Sequence, residues 1–127
     1  MKILLDTSFI LTCVKQKIDF IELADKLFSE KIEFLVPREV LHELEIVSKK
    51  KNKTKKDRQA AQLALEILQK KDIKKIKLNK EVDKGILDYA EKNKVMVATL
   101  DKELKKALSS KNTEILIIRH KKTISLI

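Results

Sequence analysis

Four acidic positions of the chain follow predicted strands, and their residue types suit metal-dependent chemistry. Asp6 directly follows the first apolar run, and Asp101 lies two residues past the fourth. Asp83 lies near the start of the helix predicted after the third run, and the helix after the second run carries Glu43 and Glu45. Both glutamates border the apolar face of that helix, so periodicity alone does not choose between them. Because the carboxyl ends of parallel strands share one edge of a sheet, we expect four carboxylates to converge there.

Carboxylates that converge in this way repel one another, and they are costly to keep ionised without a cation. Hard oxygen ligands suit Mg²⁺ or Mn²⁺, which keep several waters and bind through few carboxylates. A pair of such ions can stabilise both the attacking water and the leaving oxygen of a phosphodiester displacement. Taken singly, the three aspartates could be helix caps and the glutamate a solvated helix residue. Their equivalent positions in a strongly basic chain favour metal-dependent phosphodiester hydrolysis.

The chain carries 29 Lys and Arg residues against 19 Asp and Glu residues, which is a formal net charge of +10. This balance indicates a polyanionic partner, nucleic acid before membrane, although a lysine-rich proteome would also produce it. The segment Lys49–Arg58 holds seven basic residues, one acidic residue and no apolar residue. It could be a solvated linker, but its charge density and its position after the Glu43 helix favour contact with a nucleic-acid backbone. The predicted contact residues are Lys49, Lys50, Lys51, Lys53, Lys55, Lys56 and Arg58.

Short apolar runs that alternate with helical patterns predict the framework that positions these residues. Strands are expected at residues 2–5, 33–36, 73–78, 94–99 and 115–118, and helices at 8–16, 57–71, 79–93 and 101–109. Two further helices are predicted to begin at Asp19 and at Pro37. The alternation predicts a three-layer α/β/α fold with a mainly parallel central sheet. The apolar tail, residues 124–127, could complete the sheet or be buried in a homodimer.

Length and composition restrict the setting of the protein. At 127 residues the chain is expected to form one domain, residues 1–127. No apolar run approaches the roughly 18 residues that span a bilayer, and the Met-Lys start lacks a cleavage site, so neither a membrane segment nor a signal peptide is predicted. The single cysteine, Cys13, lies in an apolar-periodic stretch and is predicted to be a buried, unreactive thiol. With two histidines, a structural zinc site is not expected, and a reducing, cytoplasmic setting fits best.

Four segments, in the expected order and across nearly the whole chain, resemble the acidic motifs of PIN domains. They are Leu4–Ser8 (LLDTS), Val40–Leu44 (VLHEL), Val82–Leu87 (VDKGIL) and Val97–Leu104 (VATLDKEL). The first and the last are the more specific. The resemblance implies a parallel sheet flanked by helices and a Mg²⁺- or Mn²⁺-dependent ribonuclease, and it favours Glu43 over Glu45. The chain departs from the family pattern at Leu100, where many members have a small polar residue.

In this interpretation the three aspartates would hold the metal, and Glu43 would ligate it or orient the attacking water. Water is then the nucleophile, which predicts products with 5′-phosphate and 3′-hydroxyl ends. Two hydroxyl residues, Ser8 and Thr99, are expected to orient the carboxylates of the first and last aspartates, and Thr7 gives further support. The predicted catalytic and metal-binding residues are Asp6, Glu43, Asp83 and Asp101.

Two branches of the family compete for the cellular role. VapC-type toxins are small PIN ribonucleases that an antitoxin protein neutralises, whereas a second branch processes ribosomal RNA. The segments Ile118–Lys122 and Thr99–Lys106 resemble the second branch more closely. A non-catalytic RNA-binding subunit that keeps the acids for stability is the alternative from a different functional class. RNA is the expected substrate, and the further expected partners are a second copy of the chain, an antitoxin or a ribosome-assembly protein.

Overall fold

Strands and helices alternate along the chain in the computed structural model, which describes residues 1–70 and 73–127. The order of the elements is β1 (Lys2–Leu5), α1 (Thr7–Lys15), α2 (Phe20–Leu27), β2 (Glu33–Pro37), α3 (Arg38–Lys49), α4 (Lys55–Lys70), β3 (Lys74–Ile76), α5 (Val82–Asn93), β4 (Met96–Ala98), α6 (Lys102–Ser110), β5 (Ile115–Arg119) and β6 (Thr123–Leu126).

The strands form one sheet in the order β3-β2-β1-β4-β5-β6. The first five strands in that order run parallel, and β6 pairs antiparallel with β5. The central strand β1 pairs with Glu33–Leu35 of β2 on one side and with Met96–Ala98 of β4 on the other. The mainly parallel sheet predicted from the sequence is therefore confirmed, and β1 places Asp6 at the middle of its carboxyl edge.

Helices cover both faces of the sheet, and the alternation of side chains along β1 shows how the core is divided. Ile3 and Leu5 pack in one cluster with residues of α1 to α4, whereas Leu4 packs in a second cluster with residues of α5 and α6. All three are fully buried, as expected of a strand with helices on both faces. The three-layer arrangement is confirmed. No helix in the described ranges is long and apolar enough to cross a membrane.

The boundaries of several elements differ from the sequence predictions by one to three residues. Helix α4 begins two residues earlier than predicted, because the Thr54 hydroxyl accepts a hydrogen bond from the Asp57 amide at 3.1 Å. Pro37 is the last residue of β2, not the first of α3. Helix α1 begins at Thr7, with Asp6 at the capping position. The predicted end of α4 at Lys71 lies outside the described residues.

The C-terminal tail completes the sheet. Strand β6 pairs with β5 from Leu116↔Leu126 to Arg119↔Thr123 and buries Ile124 in the larger core cluster. The tail therefore completes the sheet of its own chain, as one of the two expectations stated. Leu126 and Ile127 nevertheless keep 36% and 53% of their surface exposed. Cys13 is fully buried, and burial raises the pKa of its thiol to about 12, which agrees with an unreactive side chain.

Gly85, the only glycine of the chain, allows α5 to approach the segment that precedes it. A Cβ atom at this position would lie 2.7 Å from the Leu78 Cβ, an atom that no side-chain rotation can move away. We expect Gly85→Ala to destabilise the protein, because overpacking costs about 1–3 kcal/mol and outweighs the gain of about 1 kcal/mol in helix propensity. Urea unfolding measures the change, with exposed Lys84→Ala on the same helix as control. An unfolding midpoint for Gly85→Ala at or above that of the wild type would contradict the prediction.

Candidate active site

Four carboxylates from four separate segments line one open pocket of about 550 Å³ at the carboxyl edge of the sheet. They belong to Asp6 after β1, Glu43 in the middle of α3, Asp83 in the first turn of α5 and Asp101 at the start of α6. Glu45 is exposed and lies outside the described lining of this pocket. The geometry thus brings together all four acids singled out in the sequence and distinguishes between the two glutamates.

Asp6 is held in place by contacts with the neighbouring strand end. Its side chain and backbone are 4% exposed in all, and its carboxylate Oδ2 accepts hydrogen bonds from Thr99 Oγ1 at 2.7 Å and Ser8 Oγ at 3.1 Å. Burial raises the pKa of Asp6, the charge of Glu43 adds to this effect, and the hydroxyl bonds oppose it. Although Asp6 occupies the capping position of α1, its side chain makes no capping hydrogen bond. The interpretation of Asp6 as an ordinary helix cap is therefore not supported.

Ser8 and Thr99 both donate to Asp6, but neither donates to the carboxylate of Asp101. Thr99 Oγ1 instead accepts a hydrogen bond from the Asp101 backbone amide at 3.2 Å, and Ser8 Oγ accepts one from the Leu100 amide at 3.1 Å. The expectation that a hydroxyl orients the Asp101 carboxylate is wrong, because that carboxylate caps α6. Its Oδ1 accepts a hydrogen bond at 2.8 Å from the backbone amide of Leu104, the third residue of the helix.

Leu100 contributes to the site through its backbone amide. Its amide reaches Ser8 Oγ, and its side chain packs, partly buried, against the larger core cluster. The departure from a small polar residue at this position therefore leaves the described bonds to the Asp6 carboxylate in place.

Thr7 follows Asp6 in the chain, but its hydroxyl bonds to Glu43. Its hydroxyl donates to Glu43 Oε1 at 2.5 Å, across 36 positions of sequence. This short bond joins the first turn of α1 to the middle of α3 and fixes one carboxylate oxygen of Glu43. Two acids of the pocket are thus oriented by hydroxyls of the Thr7-Ser8 pair.

Asp83 lies among other acidic side chains. Although the residue is exposed overall, partial desolvation of its carboxyl raises its pKa, and the charges of Asp101 and Asp6, followed by those of Glu81 and Glu103, raise it further. Repulsion of this kind is relieved when a positive ion enters the pocket.

The donor set suits a hydrated divalent cation. It consists of carboxylate and hydroxyl oxygens, the ligands that Mg²⁺ and Mn²⁺ prefer. Within the described part of the chain, no three His, Cys, Asp or Glu side chains are arranged so closely that they alone could enclose an ion. Because Mg²⁺ keeps several waters and is bound through one or two carboxylates, such an enclosure is not required.

The basic segment contributes two of its seven cationic residues to the pocket. Lys50 and Lys53, in the turn between α3 and α4, line it together with the acids. Most of the other five residues border a separate surface depression beside Ser48 and Gln59. Its basic lining residues are Lys49, Lys51, Lys55 and Arg58, while Lys56 is exposed.

Glu39 is a residue that the sequence did not single out. Both of its carboxylate oxygens accept hydrogen bonds from the Leu78 amide, at 3.1 and 3.2 Å, and one also accepts from the Asn79 amide at 3.0 Å. The bonds tie the first turn of α3 to the segment that enters α5, and so set Glu43 relative to Asp83. In the sequence Glu39 reads as a first-turn acid of a helix, and no local signal reveals a partner 39 positions away.

We expect Glu39→Gln to lower the free energy of unfolding by about 1–2 kcal/mol at pH 7, because hydrogen bonds to a charged acceptor are lost. Burial raises the pKa of Glu39, but the amide bonds outweigh it and lower the pKa below the ordinary 4.5. The stabilisation is therefore present above pH 4.5 and is lost as the pH falls through the lowered pKa. Urea unfolding should show a difference between wild type and variant that shrinks below pH 4.5. Glu45→Gln, an exposed change on the same helix, is the control, and an equal loss there would contradict the prediction.

Comparison with known proteins yields matches to a family, to a curated protein and to solved structures. The family described as "PIN like domain" matches residues 3–121. "Ribonuclease VapC4" of Methanocaldococcus jannaschii is 34% identical over 122 residues, which cover 95% of this chain and 92% of that protein. Among solved structures, "Structure of the PIN domain endonuclease Utp24" has a TM-score of 0.81 and 24% identity, and the match covers 98% of this chain and 90% of that one. The last likeness shows the fold.

Proposed function

The chain belongs to the family of PIN-like domains, and on that premise we propose that it is a metal-dependent endoribonuclease. The observation that carries the proposal is the convergence of Asp6, Glu43, Asp83 and Asp101 on one pocket that Lys50 and Lys53 also line. Acids that repel one another suit a divalent cation, and the lysines suit a negatively charged substrate. The name of the curated relative, a ribonuclease, supports RNA as that substrate.

The three aspartates would hold Mg²⁺ or Mn²⁺. When bound, such a cation stabilises the negative charge that develops on the attacking and leaving oxygens of an in-line displacement. Thr99 and Ser8 orient the Asp6 carboxylate for this task through their hydrogen bonds, which also oppose the rise in its pKa that burial causes.

The other side chains of the pocket act on the substrate and on water. Lys50 and Lys53 would bind phosphates of the RNA backbone, and Glu43, oriented by Thr7, would accept a hydrogen bond from the attacking water. The water oxygen bonds to phosphorus and gives a proton to Glu43, which passes it to solvent; the bond to the 3′ oxygen breaks, and the leaving oxygen takes a proton from solvent. The products carry 5′-phosphate and 3′-hydroxyl ends.

Incubation of end-labelled single-stranded RNA with Mn²⁺, with Mg²⁺ or with EDTA tests the proposal. We expect cleavage with either ion, none with EDTA, and fragments with a 5′-phosphate. Asp83→Asn, purified in the same way, is the control for contaminating ribonucleases, because the described Asp83 carboxylate faces other acids and its replacement leaves the hydrogen bonds of the pocket intact. Equal cleavage by both proteins, or cleavage in EDTA, would reject the assignment.

Two cellular roles are compatible with this activity. The 34% identity to a protein called Ribonuclease VapC4 favours a toxin-type ribonuclease, for which an adjacent small antitoxin gene and growth arrest on expression are expected. The segment Ile118–Lys122 favours ribosomal RNA processing, for which precursor ribosomal RNA should be cleaved at a defined site. Growth arrest that a co-expressed neighbouring protein relieves would decide for the toxin.

A non-catalytic RNA-binding subunit is the second candidate function, and it rests on the Leu100 departure and on the basic segment. Calorimetry with Mn²⁺ distinguishes the two functions, since a protein that binds RNA but takes up no ion at millimolar concentration would be such a subunit. In either case we propose that residues 1–127 act as a single domain in the cytoplasm. Because β6 pairs with β5 of the same chain, we also propose that any homodimer forms without exchange of this strand.

A further inference from the structure

The turn that joins β5 to β6 carries four consecutive basic or imidazole side chains. These residues, Arg119–Lys122, are called the hairpin tip below, and all four are exposed. Within the described residues, the ion pairs of the protein lie elsewhere and none involves the tip. The tip therefore presents uncompensated positive charge to solvent, and the pocket residues described above do not include it.

Sheet topology places the hairpin tip beside the acid pocket. Strands β1, β4 and β5 run parallel and adjacent, so β5 ends at the same edge as Asp6 and Asp101. The Thr99 amide donates to the Leu116 carbonyl at 3.3 Å, which sets the two strands level at that point. Arg119 lies three residues further along β5, about 10 Å past this level at the usual rise of a strand. The tip thus rises on the β5 side of the acids, outside the pocket that Lys50 and Lys53 line.

The backbone of the hairpin tip is one that its side chains disfavour. His120 and Lys121 have φ values of 54° and 58°, and the Lys122 amide donates to the Arg119 carbonyl at 3.1 Å. Two successive left-handed residues in a hairpin form the turn for which Asn-Gly is the preferred sequence. Any residue with a Cβ atom is disfavoured at these positions relative to glycine. His120 and Lys121 are therefore not the residues that the stability of this turn favours.

Arg119 makes one side-chain hydrogen bond within the hairpin. Its Nε donates to Ser125 Oγ of the facing strand at 2.7 Å, which uses one of the five donors of the guanidinium group. An arginine fixed in this way loses little conformational freedom when its remaining donors bind a phosphate.

We propose that the hairpin tip is a second RNA-binding site, which holds the phosphate backbone on the β5 side of the acid pocket. The inference rests on the proposed function, because it takes RNA as the substrate of the pocket. A single strand bound to Lys50 and Lys53 in the pocket would then extend to a further group of cations at the tip, and these added contacts would help to hold the scissile phosphate over the acids.

A matched pair of double variants tests the proposal. Lys121→Gln/Lys122→Gln removes two charges at the tip, and Lys2→Gln/Lys31→Gln removes two exposed charges at the opposite, amino edge of the sheet. Both variants lower the net charge by the same amount, so long-range attraction to RNA is matched. Binding of a fluorescein-labelled single-stranded RNA is measured by anisotropy in EDTA, at several salt concentrations.

For the tip variant we expect affinity to fall about five-fold per lost phosphate contact at 0.1 M salt, and the slope of log K against log salt to decrease by about 0.7 per contact. The amino-edge variant should bind nearly as the wild type does. Equal affinities for the two variants would overturn the proposal. Because binding is measured without metal, a difference between the variants with no cleavage activity would reject the nuclease function and retain this site.

A second variant separates binding from folding. His120→Asn/Lys121→Gly installs the preferred turn sequence, so we expect a higher melting temperature together with weaker RNA binding. A stabilised protein whose RNA affinity and salt slope equal those of the wild type would show that the tip side chains do not contact RNA.

Discussion

Asp6→Asn is expected to reduce Mn²⁺-dependent RNA cleavage by about 10²–10⁴-fold. Removal of one partner of a buried charge interaction costs about 3–5 kcal/mol, and a barrier raised by that amount slows the reaction by this factor. Asp6 is 4% exposed, and its Oδ2 is held by two hydroxyls, so solvent cannot replace the missing charge. Asparagine has nearly the same shape and, with its amide oxygen in the place of Oδ2, keeps the acceptor for both hydroxyls. Initial rates on labelled RNA at saturating Mn²⁺ measure the loss. Asp25→Asn, an exposed change on α2, is the control and should cleave at the wild-type rate.

The same variant should fold at least as well as the wild type in the absence of metal. Burial raises the pKa of Asp6, so the ionised carboxylate destabilises the folded state at pH 7, and this penalty disappears as the pH falls through the raised pKa. Asparagine removes the penalty at neutral pH. Mn²⁺ at 100 times its dissociation constant should stabilise the wild type by about 2.7 kcal/mol and the variant by much less. Loss of activity with a lower melting temperature in EDTA would instead indicate misfolding, and an unchanged metal-induced shift would exclude Asp6 as a ligand.

Thr99→Val is expected to lower RNA cleavage by about 10–100-fold, the usual effect of removing a hydrogen bond that orients a metal ligand. Thr99 is fully buried, and valine has nearly the same volume, so the change removes the hydroxyl and little else. That hydroxyl donates to Asp6 Oδ2 and accepts from the Asp101 amide. The unpaired amide should also lower the free energy of unfolding by about 1–3 kcal/mol.

Rescue by serine distinguishes positioning from packing. Thr99→Ser keeps both hydrogen bonds and loses one methyl group, a change of about 1 kcal/mol in stability. We expect cleavage within a few-fold of the wild type and Mn²⁺ affinity, measured by calorimetry, close to it. If the valine and serine variants lost activity equally, the hydroxyl would have no role in positioning Asp6.

Much of the fold could be predicted because burial on both faces leaves a clear pattern in each strand. The run Lys2–Leu5 has no polar residue after its first position, and its last three residues form the fully buried centre of the sheet. Predictions failed where a distant contact sets a boundary. The helix predicted from residue 79 begins at Val82, because Asn79 adopts φ 58° and the Leu78 and Asn79 amides are held by Glu39. No window of sequence around Asn79 contains that partner.

The acids of the pocket were identifiable because each follows a strand of a parallel sheet, a relation that can be read from chain order. Their partners were not. Thr99 meets Asp6 across 93 positions and Thr7 meets Glu43 across 36, whereas the sequence suggested that Thr99 would serve the nearer Asp101. Likewise, seven basic residues in Lys49–Arg58 look alike in sequence, and the turn after α3 directs only Lys50 and Lys53 to the acids.

The sequence by itself thus determined the alternation of strands and helices, the buried strand that ends at Asp6, and the positions of the three aspartates. These features depend on apolar periodicity and on which residue follows a strand, and both are local properties of the chain. Only the tertiary structure decided that Glu43 and not Glu45 faces the other acids, and which hydroxyl orients which carboxylate. It also decided that the hairpin tip stands beside the pocket. Those choices depend on strand order and on hydrogen bonds between residues far apart in sequence, which local patterns do not encode.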